Sequence, residues 1–221
     1  RLSGENIGEA WPSPDEHLNL PVEDPVEFTE DPANWVFVDP SAGDDTKNIQ
    51  DAIDSGAETI YFSFTGDYEI SSPIYMRGNV KRILGFNAII NGDPSNFGFG
   101  GTPLIVFQNT VPLTVEFLKW QHYPNNPHCL VDTDQQVFLK SSSKSMPVGK
   151  IKNSANAIGG KLFIEDNLTD IHLDYPQDTW IRHLNQENNP YESANLSRIY
   201  NINRGGNMWI LGHKTESIAT H

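Results

Sequence analysis

The sequence predicts an all-β chain whose parallel strands wind as a coil, closed at its N-terminal end by one short helix. Three observations predict this. A single amphipathic helix is legible, over residues 45–54. Directly after it the hydrophobic period falls from about 3.6 to 2, the change from a helix face to a half-buried strand. From there on the chain is a succession of short apolar segments divided by Gly, Asn, Asp and Pro, and helical periodicity of useful length does not return. A parallel sheet normally needs crossover helices, and strands that lack them must wind as a coil.

Taken in order, residues 1–34 carry Pro12, Pro14, Pro21, Pro25 and Pro32 among many acids. That composition disfavours helix and continuous ladder alike, and predicts an extended arm lying on the domain formed by residues 35–221. Trp35-Val-Phe-Val38 reads as a strand and Asp39-Pro40 as the turn into the helix. Asp45 or Thr46 can cap that helix, Ile49, Ala52 and Ile53 share one face, and Ser55-Gly56 supplies a left-handed stop. In Thr59–Phe64, Ile60, Phe62 and Phe64 alternate with Tyr61 and Ser63. Later strand candidates are Ile74–Met76, Val80 with Ile83-Leu84, Ala88–Ile90, Leu104–Phe107, Leu113–Leu118, Val137–Leu139, Leu162–Ile164, Ile171–Leu173, Trp180-Ile181, Ile199–Ile202 and Met208–Leu211. The ends of such a coil are exposed strand edges that need covers, and the helix serves at the N-terminal end.

The segment Asp44-Asp45-Thr46, Ile49-Gln50, Ala52-Ile53, followed by Ile60-Tyr61-Phe62 and Gly66-Asp-Tyr68, resembles the opening segment of the pectate-lyase-like superfamily. Ser63-Phe64-Thr65 stands where that pattern has two prolines. The resemblance continues, in order, through Arg77-Gly-Asn-Val-Lys-Arg-Ile-Leu-Gly85, Gly160-Lys-Leu-Phe-Ile-Glu-Asp166, Trp180-Ile-Arg-His-Leu-Asn185 and Trp209-Ile-Leu-Gly-His-Lys-Thr-Glu216, segments similar to those of a polygalacturonase-related branch. It implies a right-handed parallel β-helix, a polysaccharide ligand and a secreted or cell-surface location. Further coils usually follow the Lys-Thr-Glu segment in such proteins, so the expectation is a β-helix lacking its C-terminal coils or cap, or one whose coil end pairs with another chain. The superfamily includes lyases, hydrolases and non-catalytic binders, so the resemblance specifies architecture more than reaction. The Asn-Thr-Asp and Asp-Asp segments of polygalacturonases and the Arg-x-Pro-x-x-Arg segment of pectate lyases are missing from the matching places.

Composition narrows the class further. At 221 residues and 37% apolar content the chain can bury a sizeable core. A formal charge of −14 argues against nucleic acid and anionic membrane surfaces, and no apolar run is long enough to insert into a bilayer. An acidic protein that holds an acidic sugar must supply a local basic patch or a bridging cation such as calcium. Asp132-Thr-Asp134 and Glu165-Asp166 could ligate calcium, though neither has an EF-hand frame, and no metal site is assigned. Cys129 is alone, so no intrachain disulfide forms.

The candidate catalytic residues fall in, or just after, the last two matching segments. Glu187 and Glu216 are spaced to lie on adjacent turns, and two carboxylates about 5–10 Å apart are what glycoside hydrolysis requires. A lyase instead needs a base for the proton alpha to a uronate carboxylate and positive charge to steady the enolate, groups that Arg182, His183, His213 and Lys214 supply. The bland account is that these side chains form charge ladders on a solvated face. Trp120 and Tyr123, beside Asn125 and Asn126, offer a flat platform and hydroxyl-reading amides for a sugar, against the alternative of a loop whose aromatics are core. Arg77, Lys81 and Arg82 are the densest positive group and would hold an anionic sugar if they are not already paired. The expected function is recognition of an extracellular polysaccharide, with lyase or hydrolase activity. The competing expectation is a non-catalytic structural or carbohydrate-binding β-helix that self-associates through its open coil end.

Overall fold

The computed structural model describes residues 23–26, 31–63, 66–93, 95–97, 101–121, 128–144, 150–187 and 201–216. It is an all-β structure of parallel strands with one α-helix among these residues. Strand β1 (Trp35–Val38) leads to helix α1 (Thr46–Asp54), after which β2 (Thr59–Phe62), β3 (Asp67–Ile70) and β4 (Ile74–Gly78) enter three different sheets. The same order recurs in β5 (Arg82–Leu84), β6 (Ile89–Gly92) and β7 (Ile105–Asn109), in β8 (Leu113–Glu116), β9 (Lys119–Gln121) and β10 (His128–Val131), and in β11 (Val137–Lys140), β12 (Ser143–Lys144) and β13 (Lys150–Asn153). Then β14 (Lys161–Leu168), β15 (Asp170–Leu173), β16 (Asp178–Glu187), β17 (Asn201–Asn203) and β18 (Met208–Glu216) alternate between the eight-stranded and six-stranded sheets. Each ladder is parallel, and each return of the chain adds a strand beside the one laid down before it.

Register places like residues above one another. Ile60, Ile83, Val115, Leu139, Ile164, Ile181 and Ile210 occupy one rung across the eight-stranded sheet. Ile74, Ile105, Cys129, Ile151 and Ile171 do the same in the six-stranded sheet. All but Ile210 are buried in one core cluster. Burying such a side chain contributes about 1.5–3 kcal/mol, so the rungs carry much of the driving force for stacking one pass on the next. Ile49, Ala52 and Ile53 seat α1 on that cluster beside Val38 and Ile60.

The helix is capped differently from the expectation. Asp45 is buried and takes backbone N–H groups from Ser41 and Glu69, while Asp44 accepts the Thr46 N–H at 2.9 Å. Gly56, at φ +86°, provides the left-handed stop. A second left-handed position recurs at the same place along the eight-stranded sheet on successive passes. Phe117, Ser141, Asp166, His183 and Gly212, each one residue beyond a register-paired rung, have φ of +54°, +46°, +50°, +59° and +84°.

Of the arm, residues 23–26 lie on the outer face of the eight-stranded sheet. Glu23 pairs with Lys161, Asp24 with Arg182, and the Val26 N–H donates to Gln136 Oε1 at 3.0 Å.

Candidate functional site

Strands β16 and β18 carry the residues expected to be catalytic, and they bring only some of them together. Glu187 and Glu216 are register partners at the ends of the two strands; their side chains lie outside the described residues. Arg182 projects from the outer face between Asp24 and Glu165, the latter at 3.8 Å. His213 lies opposite Leu184 and its Nε2 contacts Gln186 Oε1 at 2.6 Å, whereas Lys214 lies opposite Asn185 beyond the left-handed corner. Arg182 and Lys214 are therefore separated by the corner rather than converging. Reading the sequence missed the contact at the corner itself, where His183 Nδ1 meets Asp166 Oδ1 at 2.7 Å.

The residues expected to bind substrate are dispersed. Trp120 corrects the platform reading: it is fully buried on β9, on one rung with Tyr68 and Ile90, and offers no face to a sugar. Tyr123, Asn125 and Asn126 lie outside the described residues. Arg77 makes a two-pronged contact with Asp54, at 2.8 and 2.6 Å, with its guanidinium over the Tyr75 ring. Arg82 binds the nearly buried Glu116, which also has Lys140 within 3.9 Å. Both arginines thus belong to charge ladders on the outer surface, and a ligand would have to displace a bound carboxylate to reach either.

A second group of cations was not singled out in the sequence and lies on the outer face of the six-stranded sheet. Ile151 on β13 points into the core, so alternation turns Lys150 and Lys152 outward. His128 is the register neighbour of Lys150, and Lys152 is the neighbour of Leu130 on one side and His172 on the other. Strands of a sheet lie about 4.8 Å apart, so these four side chains share one patch two to three rungs wide. His128 and Val106 are buried although they point away from the core.

Electrostatics marks the patch as cationic. Burial first, then the charges of Lys152 and Lys150, holds His128 down to about 4, so its ring is neutral at physiological pH. Burial is the larger cause and the ammonium groups of Lys152 and Lys150 add to it, in a chain whose formal charge is −14, while Asp170 is the register neighbour of Lys150 on its other side. Such a face can hold carboxylates of a ligand and stabilise negative charge that develops on it.

No cluster of three or more His, Cys, Asp or Glu suited to a metal occurs among the described residues. Of the acids considered for calcium, Asp132 is pushed up by burial, but hydrogen bonds from Gln108, Ser154 and Asn156 outweigh that and leave it below the usual carboxylate range. Its oxygens are already committed to neutral donors. Glu165 faces Arg182, and Asp166 faces His183. No helix among the described residues is long and apolar enough to cross a membrane. Comparison of the chain with protein-family models, with curated proteins and with solved structures found no match, so the reading rests on the sheets and the side chains they align.

Proposed function

We propose that the three sheets are the faces of a right-handed parallel β-helix, and that this protein recognises an acidic extracellular polysaccharide on the outer face of the six-stranded one. The observation that carries the reading is the group His128, Lys150, Lys152 and His172 on consecutive strands of an otherwise acidic chain. A polysaccharide repeats at intervals comparable to a few strand spacings, and a solenoid presents a matching row of side chains along its axis. A polymeric ligand of this kind places the protein in secretions or at a cell surface.

The groups present suit elimination better than hydrolysis. Lys150 and Lys152 can stabilise the enolate formed when the proton alpha to a uronate carboxylate is removed, and His128 beside them is the nearest imidazole, a weak base while it stays buried. The electron pair then expels the glycosidic oxygen on the adjacent carbon, which takes a proton from water as it leaves, and an unsaturated sugar end remains. Hydrolysis would instead draw on Glu187 and Glu216, which are aligned by register.

The test is a panel of neutral and uronic polysaccharides assayed for binding and for product, with and without calcium. Binding of uronic but not neutral polymers, weakened roughly tenfold in the Lys150→Ala/Lys152→Ala variant, supports the reading. Unsaturated ends identify a lyase, and reducing ends alone a hydrolase acting through the glutamates. A folded sample that binds none of the panel overturns the reading.

A second reading draws on β18, the last strand of its sheet among the described residues, where Ile210 and Leu211 are exposed. Under it the protein is a non-catalytic β-helix that pairs along β18 with a further strand or a second copy. Concentration-dependent association lost in Ile210→Lys would favour that reading.

A further inference from the structure

We infer that the outer face of β11, β14 and β16 is a binding groove for an extended acidic peptide segment followed by proline, and that Glu23-Asp24-Pro25-Val26 of the chain is its resident occupant. The inference is independent of the polysaccharide reading, which concerns a different sheet. The groove's floor is a row of rings on one rung, Phe138, Phe163, Trp180 and Trp209. Phe163 stacks on Trp180 at 4.9 Å and Trp180 on Trp209 at 4.7 Å, while Phe138 meets Phe163 edge-on at 6.3 Å.

These rings point away from the core, yet Phe138, Phe163 and Trp180 are only 9%, 4% and 9% exposed. Pro25 lines a small cavity with them, together with Glu165 and Arg182. Because stacked rings have given their faces to one another, what the row presents outward is ring edges. An edge strip suits the compact apolar ring of a proline better than the broad face of a sugar.

The flanks of the groove read the remaining features of the occupant. Lys161 takes the Glu23 carboxylate, Arg182 takes that of Asp24, and Gln136 accepts the Val26 backbone N–H. Two carboxylates, a proline ring and a main-chain group are thereby met by Lys161, Arg182, the ring row and Gln136, the residue just before β11. All these contacts join the arm to strands more than a hundred residues away in sequence. The same segment supplied by another chain, including a second copy of this one, presents the same chemistry and competes for the site.

The experiment uses the full chain with Glu23→Ala, Asp24→Ala and Pro25→Gly together, which vacates the groove, and a synthetic peptide with the sequence of residues 20–28. Tryptophan fluorescence reports the surroundings of Trp180 and Trp209, and calorimetry gives the affinity. The expected result is saturable binding to the vacated variant, roughly tenfold or more tighter than to the unaltered chain, where the resident segment competes. Adding Arg182→Ala, or replacing both acids of the peptide by alanine, is expected to abolish it. Should the triple variant fail to fold by circular dichroism, Asp24→Ala alone is expected to give the same ordering with a smaller difference. No saturable binding to any folded variant, or equal affinity for the acidic and the alanine peptide, overturns the inference and leaves the contact a structural one.

Discussion

Asp166 and His183 occupy the same corner on neighbouring strands, both with left-handed backbones, and their side chains meet at 2.7 Å. The preceding pass has Ser141 in that position and the following one has Gly212. The conformation belongs to the position on the pass rather than to the residue type, since residues as different as Ser, Asp, His and Gly all adopt it.

The corner therefore ranks substitutions by backbone strain. Ser141→Gly is expected to keep or raise stability, by up to about 1 kcal/mol, because glycine reaches positive φ without a Cβ clash. Ser141→Val is expected to lower it by about 1–2 kcal/mol, since a β-branched residue is disfavoured there. Urea midpoints of the two variants against the unaltered chain measure the difference; a valine variant as stable as the glycine one would contradict it.

His128 makes folding stability depend on pH. Its pKa falls from 6.5 to about 4 on folding, so between those values the unfolded chain binds the extra proton. Stability is then fully present above about pH 6.5 and is lost as pH falls toward 4, by about 3 kcal/mol in total. Asp44, lowered to about 2 by hydrogen bonds from Ser71 and Thr46, adds a separate loss below 3.8. His128→Gln is expected to flatten the first window and leave the second. In Lys150→Ala/Lys152→Ala the His128 imidazole, followed by NMR, is expected to titrate higher but still below 6.5, because burial remains the larger cause.

Trp120→Ala separates core from ligand platform. Emptying a fully buried indole site is expected to cost about 3–5 kcal/mol in chemical denaturation. Polysaccharide affinity per folded molecule is expected to stay unchanged; a specific loss of affinity in a stable variant would restore Trp120 as a contact residue.

Gly85→Ala tests how closely successive passes approach. A Cβ there would lie 2.5 Å from Leu118 Cα and 2.6 Å from Phe117 O, both backbone atoms that cannot swing aside. The variant is expected to lose at least about 2 kcal/mol, with Phe117 and Leu118 amides the first to lose hydrogen-exchange protection. Gly43→Ala, whose added Cβ meets no neighbour within 4 Å, serves as the comparison.

The framework was legible where side chains alternate strongly. Ile60 and Phe62, Leu113 and Val115, and Val137 and Leu139 each betray a strand because a buried apolar side chain recurs at every second position. The helix was legible from Ile49, Ala52 and Ile53, but not its cap: Asp45 or Thr46 was expected, whereas Asp45 is taken up by Glu69 and Asp44 accepts the Thr46 N–H together with that of Ser71, far along the chain. Strand β13, Lys-Ile-Lys-Asn, has a single apolar residue and leaves no periodic trace, and β9 and β10 were hidden inside what reads as a Pro-rich loop. The cationic patch went unseen for the same reason: His128, Lys150 and His172 become neighbours only through register, and register is not written in spacing.

The position of the arm also sets an order of events during synthesis. Asp24 leaves the ribosome 158 residues ahead of its partner Arg182. At typical rates of roughly 5–20 residues per second, it waits roughly 8–30 seconds before its docking face exists. Throughout that interval each newly laid strand presents an open edge to any passing extended segment. The acids and prolines that suit the arm to the finished groove also make it a poor edge partner, since proline cannot donate to a ladder and like charges oppose pairing. Its composition thus protects the nascent chain from an early, wrong attachment and defers docking until β16 has formed.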